Sequence, residues 1–186
     1  MENIADTVRE KLIIEGIAEI EQYGIKNFSL RRVASNSNVS CAAPYKHFNS
    51  KDDFIFEIVR YIYAKWNLIT SDIIKIYEGD PKKQITEICI SYIKFWLANP
   101  NFRSVLMMGN NELTQSEEIS PLTQVTKNLI LKHFSHLSDK LIYEKVFNVR
   151  AISYGAILMI DKGEIENTPD TINMIRKSII RCLEEE

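Results

Sequence analysis

A chain of 186 residues with 45% hydrophobic and 26% charged residues and a formal charge of −2 has the balance of a soluble globular protein, one ordinary domain or a small domain joined to a larger one. No apolar run approaches the roughly 18–20 residues that cross a bilayer, and the charge-interrupted start MENIADTVREKLII does not read as a secretory leader, so a cytoplasmic location is expected. Cys41, Cys89 and Cys182 are far apart and odd in number, which argues for reduced thiols against a disulfide frame or a metal site.

Helical spacing is the period along the whole chain, and about nine helices are expected in an all-α fold. The first covers about Ile4 to Tyr23, with Val8, Leu12, Ile13, Ile17 and Ile20 on one stripe and Gly24 stopping it. Ser29 can cap a short helix from Leu30 to Ser37, with Phe28 and Val33 placed as a hydrophobic staple. The turn Ser37-Asn38-Val39 follows, and Asn38 tolerates a left-handed conformation. Ser40 then caps a helix from Cys41 to about His47, in which Pro44 falls at the fourth position and forfeits a backbone bond. Ser50-x-x-Asp53 opens a long helix to about Tyr77. Asp80-Pro81, Asn99-Pro100, Ser120-Pro121 and Thr168-Pro169 each pair a capping oxygen with a proline suited to the first helical turn, marking four more starts.

Charge is unevenly distributed. Residues 1–21 hold six acids and two bases, whereas residues 22–51 hold no acid and five bases, Lys26, Arg31, Arg32, Lys46 and Lys51. Such a window is either a footprint for phosphates or a solvated basic face. Two short helices, a tight turn and small side chains at the crossing make a helix-turn-helix. The slim leading turn Cys41-Ala42-Ala43 could enter a major groove about 12 Å wide. Phe48 reads as a core residue seating the second helix.

The run N-V-S-x-x-x-x-Y-x-H-F-x-S-K, Asn38 to Lys51, resembles the DNA-binding domain of TetR-type transcriptional regulators over about residues 4–60. That resemblance implies a ligand-responsive, dimeric DNA-binding regulator without a cofactor. Its helix-turn-helix domain would span 1–50 and its effector-binding and dimerisation domain 51–186. It implies phosphate contacts by Ser29 and Ser40, phosphate clamping by Tyr45, His47 and Lys51, and base-edge contacts by Cys41, Ala42 and Ala43. Lys46 would reach phosphate or base. One of Arg31 and Arg32 would face DNA and the other pair with an acid of the first helix. A basic residue and a glycine are more usual at Cys41 and Ala42. Without Arg, Asn or Gln on that turn, specificity is expected from thymine methyls, Lys46 and DNA shape. Tyr92 to Met108 and AISYGAILMIDKGEI resemble the subgroup named for a Trp-His-Gly signature, with Tyr154 standing where that subgroup has His and Gly155 in place.

Residues 67–186 hold 14 bases and 16 acids and are rich in aromatics. Each aromatic alone reads as core; together they suggest an apolar cleft for a small, largely apolar effector, with Trp96, Met107, Met108 and Tyr154 lining it and Asn110 supplying polarity. Val146 to Ile160 is apolar almost all round, and Ile172, Ile175, Ile179 and Leu183 form a stripe. With Ile152, Gly155, Ala156 and Met159 these residues are the expected homodimer surface, a four-helix bundle between two chains. An extra-thick monomer core is the alternative. Nothing supports an enzyme: Cys41 and His47 lack a third partner, and His133 and His136 lack further ligands at metal spacing. A helical adaptor that does not bind DNA is the competing reading, and a repressor released from a pseudo-palindromic operator the favoured one.

Overall fold

The computed structural model describes residues 4–99 and 121–184, and these divide into two compact units, 4–65 with 99 and 66–98 with 121–184. Among the described residues there are eight α-helices and no strand. They are α1 (Ile4–Tyr23), α2 (Leu30–Asn36), α3 (Pro44–His47), α4 (Lys51–Ile76), α5 (Pro81–Ala98), α6 (Pro121–His133), α7 (Asp139–Asp161) and α8 (Pro169–Leu183), with one 3-10 turn at Ile25–Asn27. The helix expected to begin at Pro100 lies outside the described residues. The helix α4 begins in the first unit and ends in the second.

In the first unit the α1 stripe does what its spacing predicts: Leu12, Ile13, Ile17 and Ile20 are buried. Gly24 ends α1 at φ 72°, its N–H donating to the Ile20 carbonyl at 2.8 Å. Gly16 is the point of close approach. A Cβ there would overlap the Phe54 ring and meet Ile58 Cδ1 at 2.9 Å, so α4 rests on bare α1 backbone. Phe54 in turn carries the Phe28 and Phe48 rings, with centroids at 5.5 and 4.4 Å. Arg9 pairs with Glu57, and Tyr61 donates to Glu10 Oε1 at 3.0 Å. At the start of α4 the Ser50 hydroxyl accepts from Asp53 N–H at 3.0 Å, while Asp53 Oδ2 accepts from Asn49 N–H at 2.7 Å. The returning half of the capping box therefore lands one residue before the cap.

In the second unit α5 is buried on almost every side, at Gln84, Ile85, Thr86, Ile88, Cys89, Ile90, Tyr92, Ile93 and Trp96, and packs against α6, α7 and α8. Its start is capped by Asp80, whose carboxylate accepts from Lys83 N–H at 3.0 Å. Buried hydroxyls are satisfied within their own helices: Thr86 donates to Lys82 O, Thr126 to Leu122 O and Ser153 to Val149 O, at 2.7, 2.6 and 2.7 Å. Lys145, nearly buried, donates to the carbonyls of Cys182 and Glu184 at 3.2 and 2.8 Å, closing the end of α8.

The helical pair α7–α8 corrects one expectation. Ile172, Ile175, Ile179 and Leu183, with Ala156, are buried in the unit's own core. α5 lies against α8 and α7 packs beside it, so the stripe is consumed within one chain. What these helices leave exposed keeps Met159 from the expected surface and adds Leu141, Tyr143, Phe147, Leu158, Met174 and Ile180. Ile152 and Gly155 are half-buried, and a Cβ at Gly155 would meet nothing closer than Met159 Cε at 4.0 Å.

Candidate nucleic-acid interface

The crossing of α2 and α3 is set by a short turn. Ser29 caps α2, its hydroxyl accepting from Arg32 N–H at 3.5 Å. At the other end Asn38 has φ 55°, the one non-glycine residue of positive φ among the described residues. Its N–H donates to Ser35 O and that of Val39 to Ala34 O, both at 3.0 Å, which is the paired bonding of a Schellman motif. The left-handed residue at Asn38 thus stops α2 and turns the chain toward α3.

The start of α3 differs from expectation. Regular helix begins at Pro44, not Cys41, and Ser40 supplies its carbonyl, not its hydroxyl, to the Ala43 N–H at 2.8 Å. Residues 40–43 form a turn that delivers Ala43 in helical geometry, φ −60° and ψ −44°. Pro44 then sits at the first helical position, where no N–H is required and its fixed φ suits the helix. The tension expected from a proline four residues into a helix disappears.

The same stretch presents its polar edge outward. Ser40, Cys41, Ala42, Tyr45 and Lys46 are exposed, Tyr45 at 61%, while Ala43 and His47 are half-buried and Phe48 is at 2%. Phe48 is the anchor and Tyr45 the free ring. Lys51 is half-buried and tied back, its Nζ donating to Ile25 O at 3.1 Å and lying 5.6 Å from the Phe28 ring centroid. One ammonium donor thereby fastens the 3-10 turn to α4.

The two arginines separate. Arg32 Nε donates to Glu19 Oε1 at 2.8 Å and its guanidinium lies 4.2 Å from the Tyr23 ring centroid. The buried Glu19 oxygen also accepts from Ser29 N–H at 3.0 Å, so one α1 carboxylate holds both the cap of α2 and a residue of its first turn. The hydrogen bond to Glu19 raises the Arg32 pKa above its usual value. Arg31, one residue before, is exposed, and the Glu19 carboxylate is given to its neighbour. Glu19 and Gly16 were not legible as site-shaping residues, because α1 alone does not reveal what lies across from it.

In the second unit Trp96 is buried and Tyr154 half-buried, and the two meet through Tyr92, with centroids at 5.7 and 5.9 Å. Met107, Met108 and Asn110 lie outside the described residues. No group of three potential metal ligands occurs among the described residues, and no described helix is long and apolar enough to cross a membrane.

A crossed helix pair with an exposed, acid-free rim defines the class of helix-turn-helix proteins. The family model for bacterial regulatory proteins, tetR family, matches residues 12–58, which spans α2, α3, most of α1 and the start of α4. An HTH-type transcriptional regulator of Staphylococcus aureus (strain bovine RF122 / ET3-1) is 23% identical over 111 residues, covering 58% of this chain and 59% of that protein's own length. A TetR family transcription regulator of Marinobacter aquaeolei VT8 has the same fold at a TM-score of 0.81, with 14% identity and 98% of each chain covered. The TetR family regulator PfmR of Thermus thermophilus matches at a TM-score of 0.67, with 15% identity and 94% and 100% coverage. Residues 12–58 therefore match the family model of tetR-type bacterial regulatory proteins, and the fold is that of the TetR family structures.

Proposed function

We propose that this chain is a cytoplasmic, homodimeric transcriptional repressor that binds a pseudo-palindromic operator and leaves it when a small, largely apolar effector binds. The observation that carries the reading is the exposed rim of Ser40, Cys41, Ala42, Tyr45 and Lys46, held on an anchored crossing inside a stretch of sequence without acids. Residues 1–50 would do the reading, with Ser29, Ser40, Tyr45, His47 and Lys51 on phosphate and Cys41, Ala42, Ala43 and Lys46 at base edges. Arg31 would join the phosphate contacts in place of Arg32, which Glu19 holds.

Residues 51–186 would sense and pair. Twofold symmetry reads half-sites about 34–36 Å apart or a multiple of that distance. The exposed residues Phe147, Leu158, Met159, Met174 and Ile180 of α7 and α8, together with Ile152 and Gly155, supply an apolar face for a second copy. Effector binding near Trp96 and Tyr154 would shift the equilibrium position of α4, the helix shared by both units, and change the half-site separation.

Retardation of DNA from the gene's own upstream region, measured across a salt series, tests the reading. Binding should weaken steeply with salt, and Lys46→Ala should broaden the base profile. A protein with no affinity for that DNA at low salt is the helical adaptor instead.

A further inference from the structure

The second unit holds a cluster of rings centred on Tyr92, with Trp66, Trp96 and Tyr154 at centroid distances of 5.2, 5.7 and 5.9 Å. Phe95 joins it beside Trp66 at 5.7 Å. Trp66 and Trp96 are 1% and 6% exposed, yet among the described residues neither indole N–H meets an acceptor. The buried Nε–H of Arg150 is likewise unmet, and its guanidinium lies 5.8 Å from the Tyr154 ring centroid. Buried donors without partners are rare in folded proteins, because each has given up its bond to water. Three in or beside one aromatic cluster share a sign: each is a donor, and one belongs to a permanent cation. Phe95, Arg150 and Tyr154 are half-buried, so the cluster reaches the surface along that edge.

We infer that this cluster receives an organic acid with an apolar body, its carboxylate taken by Arg150 and the indole N–H groups and its body by the rings. The inference rests on the effector reading above and narrows it, from a largely apolar compound to an amphipathic anion. A neutral hydrocarbon of the same shape would leave all three donors unmet, and sites built to hydrogen-bond a group discriminate strongly against analogues that lack it. A cationic ligand would face Arg150 with like charge.

The chain has two tryptophans and both lie in the cluster, so intrinsic emission reads the site directly. The full-length protein is titrated with decanoate against 1-decanol and with 3-phenylpropanoate against 3-phenylpropan-1-ol. The expected result is a saturable emission change in which each acid binds about tenfold or more tightly than its alcohol. Arg150→Met should abolish that preference. Trp96→Phe, which keeps a ring and removes the donor, should weaken the acid about fivefold and gives a second readout if the arginine variant fails to fold. Alcohols binding as tightly as acids, or an acid preference that survives Arg150→Met, overturns the organic-acid assignment while leaving an apolar effector standing. Emission unmoved by all four probes overturns the assignment as well. Retardation of upstream DNA by the same preparation is scored separately, and only its loss counts against the DNA-binding reading.

Discussion

Arg31 and Arg32 are adjacent and chemically identical, and the fold gives them opposite tasks. Arg32 compensates a carboxylate that is itself 2% exposed, so removing it leaves Glu19 buried without its cation. Arg31 stands exposed within the acid-free window of residues 22–51. Arg32→Ala should lower the melting temperature and leave the salt dependence of DNA binding unchanged. Arg31→Ala should do the reverse, reducing the slope of log affinity against log salt by about 0.9, the value of one phosphate contact. Parallel melting curves and salt titrations of the two variants distinguish the roles. Cys89 makes a second residue-scale case. Burial pushes its thiol up to about 12, from an ordinary value of 9.0, so the folded state holds a proton that the unfolded chain releases above pH 9. The contribution is fully present below pH 9 and falls as pH rises toward 12, by about 1.4 kcal/mol per pH unit at most. Cys89→Ala should therefore flatten the alkaline limb of urea-melt stability between about pH 9 and 11. In native protein a thiol reagent at about pH 8 should label the exposed Cys41 and spare Cys89.

At the scale of the element, what distinguishes the reading head is how little regular helix it contains. α3 is four residues long and cannot stand on its own hydrogen bonds. It holds its place because Phe48 is clamped against Phe54, Pro44 is buried at its start, and the Schellman turn at Asn38 aims the chain into it. Gly16 makes that clamp possible by letting Phe54 and Ile58 of α4 lie directly on α1. Alanine there gains up to about 1 kcal/mol of helix propensity, but overpacking costs about 1–3 kcal/mol. A net loss of about 1–2 kcal/mol is expected for Gly16→Ala in urea denaturation, with DNA affinity falling because the crossing shifts. An alanine variant as stable as the parent would mean that α4 can move away freely.

At the scale of the whole molecule, the question is which surface meets a second copy. The stripe Ile172, Ile175, Ile179 and Leu183 is spent inside the chain, so Ile179→Glu should unfold the second unit, by about 3 kcal/mol or more for an unpaired buried charge. The double variant Phe147→Glu with Leu158→Glu acts on exposed positions and should leave the fold intact while dissociating the proposed dimer. Sedimentation velocity separates the outcomes. A folded monomer with operator affinity reduced about a hundredfold supports the pairing face, and an unaltered dimer excludes it.

Chain-local chemistry was legible from the residues alone. Stripes at helical spacing, capping residues before prolines, the left-handed asparagine and the acid-free window each act within four or five positions of themselves, and α1, α2, α4, α5 and α8 stand where those signals put them. Pro44 shows the limit even locally: its place at the head of α3 depended on a turn at 40–43 that no capping rule announced. Tertiary structure alone decided which arginine Glu19 holds, why residue 16 is glycine, which side of α7 and α8 remains open, and that two tryptophans thirty positions apart share one cluster without acceptors for their N–H groups among the described residues. Periodicity states that a face is apolar, but burial is a relation between two faces. The partner face comes from a part of the chain too distant for any local propensity to specify.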